Sequence, residues 1–328
     1  MNATLTWFKQ FNPLNWSPTQ WTDVFKGITF PALGLLAFMV FWHIGAQHIN
    51  TSLGTFPGPF QVAEQWSNLV AEHQAERQRE ADFYQRQDER NAAMLAQNPD
   101  AEVRWRTFSG RPTFFDQTIT SLWTVLSGFG LATIIAIPFG IVIGLNKTLY
   151  RTFNPLIQLF KPVSPLAWLP LVTLVVSALY VSADPMFARS FIISMVTVTL
   201  CSLWPTLINT AVGVSSIDRD LQNVSRVLRL GWFTHVRKIV IPSAIPSMFT
   251  GLRLSLGIAW MVLIAAEMLA QNPGLGKFVW DEFQNGSSNS LGRICVAVLM
   301  IGFIGYVLDR TMLFLQTRLN WDKSADIR

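Results

Sequence analysis

The sequence has 328 residues, of which half are hydrophobic, only 14% are charged and thirteen are tryptophan. The formal net charge is +5. This composition excludes an ordinary soluble globular protein and predicts an all-α integral membrane protein.

Six apolar segments are predicted to cross the membrane, since a span needs about 20 mostly apolar residues. Five segments are continuous, and a sixth is interrupted by prolines. A span tolerates prolines where neighbouring helices or a water-lined cavity satisfy the freed carbonyl groups. The continuous segments are 28–48, 119–145, 189–212, 246–270 and 292–316, and the interrupted one is 155–182.

Two regions around the first predicted span are polar or aromatic. Residues 1–26 hold six large aromatic side chains among polar residues, which suits either a segment lying in the membrane interface or a flank that anchors the span. Residues 61–98 are rich in Ala, Glu, Gln and Arg, without Gly or Pro, and predict a helix. This helix belongs to an outer insertion of about 61–112, which is either a solvated helix or hairpin or a docking surface for a partner.

The distribution of basic residues predicts the orientation of the permease region, 27–320, and of the tail, 321–328. Lys and Arg are retained on the cytoplasmic side of short loops. Twelve basic and five acidic residues fall on one side if both termini are cytoplasmic, and the short loops 183–188 and 271–291 on the other side are not basic. We therefore predict a multi-pass protein with both termini in the cytoplasm.

The sequence lacks the motifs of several enzyme classes. The four histidines are scattered, there is no H-E-x-x-H, and no G-x-x-x-x-G-K-[ST] phosphate-binding loop is present. No catalytic residue, metal, cofactor or nucleic-acid partner is predicted.

The connection at about 213–245 contains the stretch QNVSRVLRLGWFTHVRKIVIPSAIPS, residues 222–247. Apolar residues alternate there with Arg226 and Arg229, which predicts a short amphipathic helix on the membrane surface. Pro242 and Pro246 are predicted to set the start of the next span, because proline is tolerated in the first turn of a helix. Such a helix either docks into a groove of a second protein or only links two spans.

This loop resembles the cytoplasmic coupling loop of permeases of ATP-binding-cassette (ABC) importers, written E-A-A-x-x-x-G, nine residues, then I-x-L-P. The small Ser225 and the I-x-I-P ending match that pattern, whereas Asn223 and Arg229 replace its glutamate and glycine. The resemblance implies an ATPase-coupling loop. Its residues are Asn223, Val224, Ser225, Arg226, Val227, Leu228, Arg229, Ile239, Ile241 and Pro242.

Other stretches are similar to the nitrate, sulfonate and bicarbonate (taurine-like) group of these permeases. The loop sequence N-V-[AS]-R-V-L-R-L looks most like nitrate-type permeases. The resemblance covers about 27–320 except for roughly 71–112. Its further segments are FPGPFQVAEQWSNLV, KPVSPLAWLPLVTL at 161–174, GLRLSLGIAWMVLIAAEML at 251–269 and GLGKFVWDEF at 274–283.

The resemblance implies a type I ABC importer permease fold with six transmembrane helices in a bacterial inner membrane. Its implied partners are cytoplasmic ATPase subunits at the coupling loop, a periplasmic or membrane-anchored solute-binding protein, membrane lipid and a second permease copy in a homodimer. The implied substrate is a small oxyanion, nitrate or nitrite first. The alternatives are a sulfonate or taurine, bicarbonate or cyanate importer, and, in another class, an ion-gradient-driven secondary transporter.

Three ionisable residues within the predicted spans are candidates for the translocation pathway, because charges in hydrocarbon are expensive and generally functional. Lys161 either meets the anion at the proline-broken segment or extends to the interface. Arg253 has the same two interpretations. Glu267 would repel an anion, so we expect it to order the outer end of the pathway or to cap a neighbouring helix.

Overall fold

The computed structural model describes residues 18–51, 54–98, 102–181, 186–287 and 289–319. Two short strands, β1 (Asn50–Thr51) and β2 (Gly54–Thr55), pair antiparallel with Asn50 opposite Thr55. The helices are α1 (Pro18–His48), α2 (Pro59–Gln97), α3 (Phe114–Leu145), α4 (Lys147–Phe160), α5 (Pro165–Leu179), α6 (Arg189–Ser215), α7 (Arg219–Val227), α8 (Trp232–His235), α9 (Ile241–Ala270), α10 (Leu275–Asn285) and α11 (Ser290–Leu319). A π-helical segment, Val236–Val240, joins α8 to α9.

Five helical stretches among the described residues are long and apolar enough to cross a membrane. The pair α4 and α5, bent by 99°, adds a sixth if it forms one span. The predicted all-α membrane fold is therefore confirmed. The five stretches are Thr29–His48, Phe114–Leu145, Arg189–Ser215, Trp232–Ala270 and Ser290–Leu319.

The interrupted segment is arranged differently from the prediction. The chain turns between α4 and α5, so the segment predicted as one interrupted span is divided between residues 155–160 at the end of α4 and the whole of α5. Pro165 opens α5, where a missing N–H removes no helical hydrogen bond, and the Ser164 hydroxyl accepts from the Leu166 amide at 3.3 Å. At 15 residues, α5 is about 22 Å long.

The helix α6 lies at the centre of the bundle, packed between α3 and α9. Gly140 and Gly144 of α3 face it, and a Cβ at Gly144 would lie only 2.7 Å from the Ala211 carbonyl oxygen. The two glycines, four residues apart, allow this close backbone approach.

The bundle has two ends. We call the end at which the outer insertion packs the insertion end, and the end at which the 213–245 connection packs the loop end. At the insertion end, Leu69 of α2, Phe114 of α3 and Phe278 of α10 join one buried apolar cluster. At the loop end, Val214 and Val240 belong to a second cluster, which packs the π-helical segment against α3, α6 and α9. Both ends are therefore fixed by buried apolar contacts, and each supports a candidate site.

The predicted outer insertion is one continuous helix followed by a returning chain. The first turns of α2 are buried against the bundle, and its distal part is covered by residues that follow it. Gln87 donates to the Arg106 carbonyl and accepts from the Arg106 amide, while the Tyr84 hydroxyl accepts from the Phe108 amide. The hairpin alternative is therefore excluded.

The first helix is loosely attached and starts earlier than expected. Residues 18–26, predicted as a separate interfacial segment, are helical and continuous with the first span. Most side chains between residues 29 and 48 are exposed, and the Trp42 indole donates to the Pro57 carbonyl at 3.2 Å near the insertion end. The rest of the predicted N-terminal segment, 1–17, and the tail, 321–328, lie outside the described residues.

Candidate translocation and coupling sites

Arg253 of α9 forms a two-point ion pair with Asp309 of α11. The distances are 2.5 Å from Nε to Oδ1 and 2.8 Å from Nη2 to Oδ2. Each residue lies well inside its helix, Arg253 about 18 Å from the loop-end start of α9 and Asp309 about 15 Å from the end of α11. The candidate pathway cation therefore has a carboxylate partner within the spans.

The pair lines an open groove between α9 and α11. The groove has a volume of about 570 Å³ and is lined also by Thr250, Gly257 and Gln316. The two charged side chains keep 35% and 39% of their surface accessible in this chain. They are therefore reachable by a small ion from the groove.

Glu267 is fully enclosed at the insertion end, at the junction of α3, α9 and α10. Its carboxylate accepts from the Ser121 hydroxyl at 2.8 and 2.9 Å and from the Gly276 amide at 3.0 Å. The Ser121 oxygen in turn accepts from the Leu275 amide at 2.8 Å. Glu267 and Ser121 thus satisfy the first free amides of α10.

Two glycines make room for this carboxylate. A Cβ at Gly274 would collide with the Glu267 carboxylate itself, and a Cβ at Gly276 would collide with the Ile264 carbonyl. The turn between α9 and α10 also contains Gln271 in the left-handed conformation, with φ of 56°. The tight connection is therefore built around the buried acid.

The structure does not bring the three pathway candidates together. Arg253 is 14 residues before Glu267 on α9, about 21 Å along the axis. Lys161 is exposed at the bend after α4 and makes no ion pair with any other residue that the structure describes. Its position at the bend, next to Phe160 at the end of an amphipathic helix, is compatible with both interpretations of its role.

Asp309 is the site residue that sequence reasoning missed. It lies within the predicted span 292–316, yet the search for acidic residues in spans singled out Glu267 alone. The available signal was an Asp-Arg pair, Asp309 and Arg310, in an otherwise apolar helix. Arg310 is accounted for separately, since its guanidinium lies 5.1 Å from the centre of the Tyr306 ring.

The amphipathic helix predicted in the 213–245 connection is α7. Asp218 caps it by accepting from the Asp220 amide at 3.0 Å, and Arg229 ends it in the left-handed conformation, with φ of 45°. Ser225 is buried, with its hydroxyl 2.7 Å from Nδ1 of His235, and this hydrogen bond ties α7 to α8.

The outward side of α7 and α8 is apolar. Val227 is 82% exposed and Phe233 is 70% exposed, whereas Asn223, Arg226 and Arg229 are exposed polar residues around them. We call the apolar surface the coupling face. Its members are Leu221, Val224, Val227, Leu228, Trp232 and Phe233.

The I-x-I-P part of the loop lies elsewhere and makes different contacts. Ile239 and Ile241 pack against the loop-end cluster, and Pro242 is exposed in the first turn of α9. The prediction that the prolines start the span is wrong in one respect, because helical backbone already begins at Trp232 and Pro246 lies inside α9. The Ile241 amide bonds the Val236 carbonyl five residues back, which is the π-helical step.

Comparison with known proteins decides the family. Residues 136–321 match the profile of the family described as "Binding-protein-dependent transport system inner membrane component". The chain belongs to this family. No group of three or more His, Cys, Asp or Glu residues suited to a metal ion occurs within the described parts of the chain.

Two relatives show the group of permeases to which the chain is similar, and one solved structure shows the fold. The bicarbonate transport system permease protein CmpB of Synechococcus elongatus is 35% identical over 298 residues, 90% of this chain and 91% of the relative. The nitrate import permease protein NrtB of Synechocystis sp. is 36% identical over 201 residues, 61% of this chain and 68% of the relative. An inward-facing structure of the MetNI methionine ABC transporter aligns with a TM-score of 0.53 and 14% identity, over 63% of this chain and 95% of that chain, and so supports the fold alone.

The chain is therefore a transport subunit, an inner-membrane permease of an ABC importer in the nitrate, sulfonate and bicarbonate group, with the type I permease fold. Nitrate and bicarbonate relatives are similarly close, at 36% and 35% identity, so the preference for nitrate stays a prediction.

Proposed function

We propose that this chain is the permease subunit of an ATP-driven importer for a small oxyanion, nitrate or nitrite first. In this proposal the loop end faces the cytoplasm, both termini are cytoplasmic, and the coupling face receives a separate ATPase subunit. A second copy of the chain completes the pathway as a homodimer, and a solute-binding protein delivers the anion at the insertion end.

The observation that carries the proposal is the coupling face. Apolar surface that is exposed at one end of a bundle favours a partner with a complementary groove. The hydrogen bond between Ser225 and His235 fixes α7 against α8, and the buried Val236 and Val240 fix the following turn against the spans. Movement of a docked ATPase would therefore be passed directly to α9.

The substrate assignment rests on the site around Arg253 and on the relatives. A single guanidinium in a partly open groove suits a small anion that must be bound weakly and released. Trigonal oxyanions present two oxygens in one plane, which matches the guanidinium fork. Nitrate is favoured over bicarbonate by the loop sequence around Asn223, and sulfonates, taurine and cyanate are the remaining candidates.

The proposal is tested with the complete system, in which the permease is co-expressed with its genomically neighbouring ATPase and binding protein and reconstituted into liposomes. Uptake of labelled nitrate, bicarbonate and taurine is measured with ATP inside the liposomes, with ATP outside them, and without ATP. We expect ATP-dependent nitrate uptake that unlabelled nitrite competes with. If only bicarbonate or taurine is taken up, that anion is the substrate in place of nitrate. If no anion is taken up in an ATP-dependent way, the proposal is overturned.

A further inference from the structure

We infer that Asp309 is a built-in competitor for the substrate anion: its carboxylate holds the Arg253 guanidinium between transport cycles, and the passing oxyanion displaces it. This inference rests on the proposed function, since it places Arg253 in the anion pathway. It assigns Asp309 the role of a positioning residue that acts on substrate through Arg253.

The geometry of the pair matches that of the contact it would mimic. Asp309 binds Arg253 through both carboxylate oxygens, at 2.5 and 2.8 Å, in the planar two-point arrangement that guanidinium groups make with carboxylates. Nitrate and bicarbonate are trigonal and planar, so either can offer two oxygens to the same nitrogen atoms. The carboxylate therefore occupies the position that a substrate oxyanion would take.

The groove leaves space for the exchange. Gly257 follows Arg253 by one helical turn and lies on the same side of α9. A Cβ at Gly257 would meet no atom within 4 Å, so the space beside the guanidinium is open. Thr250 and Gln316 also line the groove, so the space beside the ion pair is partly polar.

Competition explains how a cation within a span can bind an anion without trapping it. An unpaired guanidinium there would be costly in the empty state, and it would hold the first anion that arrived. With Asp309 present, the net binding free energy of the substrate is the difference between two similar contacts with Arg253. Weak binding and fast release follow, as conduction requires.

The same competition discriminates between anions. A spherical halide cannot make the two-point planar contact, so it displaces the carboxylate less readily than a trigonal oxyanion does. Chloride should therefore be a poor ligand as long as Asp309 is in place. Selection would then begin inside the permease and would add to whatever selectivity the binding protein supplies.

The test uses Asp309→Asn, which removes the competing charge and keeps the side-chain size. Sodium nitrate is titrated calorimetrically into the purified permease–ATPase complex without binding protein. We expect roughly tenfold tighter nitrate binding than in the unmodified complex, the effect of losing one charged competitor, together with a lower maximal rate of ATP-driven uptake because release is slower. Chloride is titrated in parallel and should also bind more tightly than in the unmodified complex, because the carboxylate no longer excludes it.

Two further variants cover the case in which Asp309→Asn fails to assemble. Asp309→Glu keeps the charge and should leave nitrate affinity within a few-fold of the unmodified complex. Gly257→Leu fills the groove beside the ion pair without removing either charge and should abolish nitrate binding while assembly is kept. Gly34→Leu, at an exposed glycine of α1 with no atom near its Cβ position, is the matched control.

The outcomes separate this inference from the proposed function. Absence of ATP-driven uptake by the unmodified complex overturns the proposed function and is measured before the variants. Where that uptake is present, unchanged or weaker nitrate binding in Asp309→Asn overturns the inference alone. Normal nitrate binding in Gly257→Leu, or binding in none of the complexes, overturns it as well.

Discussion

Glu267 shows how one side chain can organise three helices. Its carboxylate is fully buried and accepts hydrogen bonds from Ser121 of α3 and from the Gly276 amide of α10. A buried donor that loses its acceptor costs about 1–3 kcal/mol. The connection between α9 and α10 is therefore expected to depend on this single residue.

Replacing Glu267 by Ala should lower the stability of the purified protein strongly. The change leaves the Gly276 amide without its acceptor, removes the acceptor of the Ser121 hydroxyl and opens a cavity, so we expect a loss of about 2–5 kcal/mol. The measurement is the midpoint of thermal unfolding in detergent micelles. Glu64→Ala, at an exposed glutamate of α2, is the control. Equal midpoints for the two variants would show that the buried contacts contribute little.

The residues of the site were only partly predictable from the sequence. Arg253 and Glu267 stand out because each is a charge in a long apolar run, and that signal needs no structure. Asp309 carries the same signal, but it lies near the end of a predicted span, where a charge is readily assigned to the interface. Its role as the partner of Arg253 depends on how α9 packs against α11. The two residues are 56 positions apart in the chain, and a periodic pattern of side chains does not predict a contact over that separation.

At the scale of elements, the coupling face leads to a direct prediction. Leu228→Asp places a charge in the middle of the apolar surface, and burying that charge unpaired against an ATPase would cost several kcal/mol. We expect the ATPase to be lost from the purified complex while the permease still inserts. The measurement is the amount of ATPase that copurifies with the tagged permease.

Leu95→Asp is the matched control for this experiment. It makes the same substitution at an exposed leucine of α2, in the outer insertion and away from the coupling face. This variant should retain the ATPase. If Leu228→Asp retains it equally, and ATP-driven transport is unchanged, the helix only links two spans.

Helices with a regular repeat of apolar residues were predicted well. Bends and irregular turns, which depend on the local conformation of the backbone, were not. The apolar and basic alternation around Val224 correctly predicts the amphipathic helix α7. The π-helical segment after it was missed, because an extra residue in a turn leaves no trace in the pattern of side chains. The position of the bend between Phe160 and Pro165 was likewise not predicted. Four prolines spread over an apolar segment indicate a break in the helix, but they do not show where it lies.

At the scale of the whole molecule, the two acids singled out within the described spans already have protein partners. Glu267 accepts hydrogen bonds from Ser121 and from α10, and Asp309 is paired with Arg253. Purified alone and placed in liposomes, the permease should therefore neither hydrolyse ATP nor accumulate nitrate under a proton or sodium gradient. The same liposomes containing the complete ATP-supplied system are the positive control. Strong gradient-driven uptake by the permease alone would place it among the secondary transporters.

The overall architecture was more predictable than its internal attachments. Hydropathy gives the number of spans, because the bilayer sets one length for all of them. It does not show that α1 is mostly exposed and held near its insertion end, or that α2 is one unbroken helix. Those properties depend on contacts such as Trp42 with Pro57 and Gln87 with Arg106, which join residues that have no common periodicity.

The close contact between Gly274 and the Glu267 carboxylate limits how this protein can evolve. Any side chain at position 274 would overlap the carboxylate where it lies now, so a substitution there must move Glu267 away from its hydrogen bonds. Loss of the glutamate alone strands the amides of α10. We therefore expect the two positions to change together, and a lineage that acquires alanine at 274 should carry a shorter residue at 267, with another acceptor supplied to the start of α10.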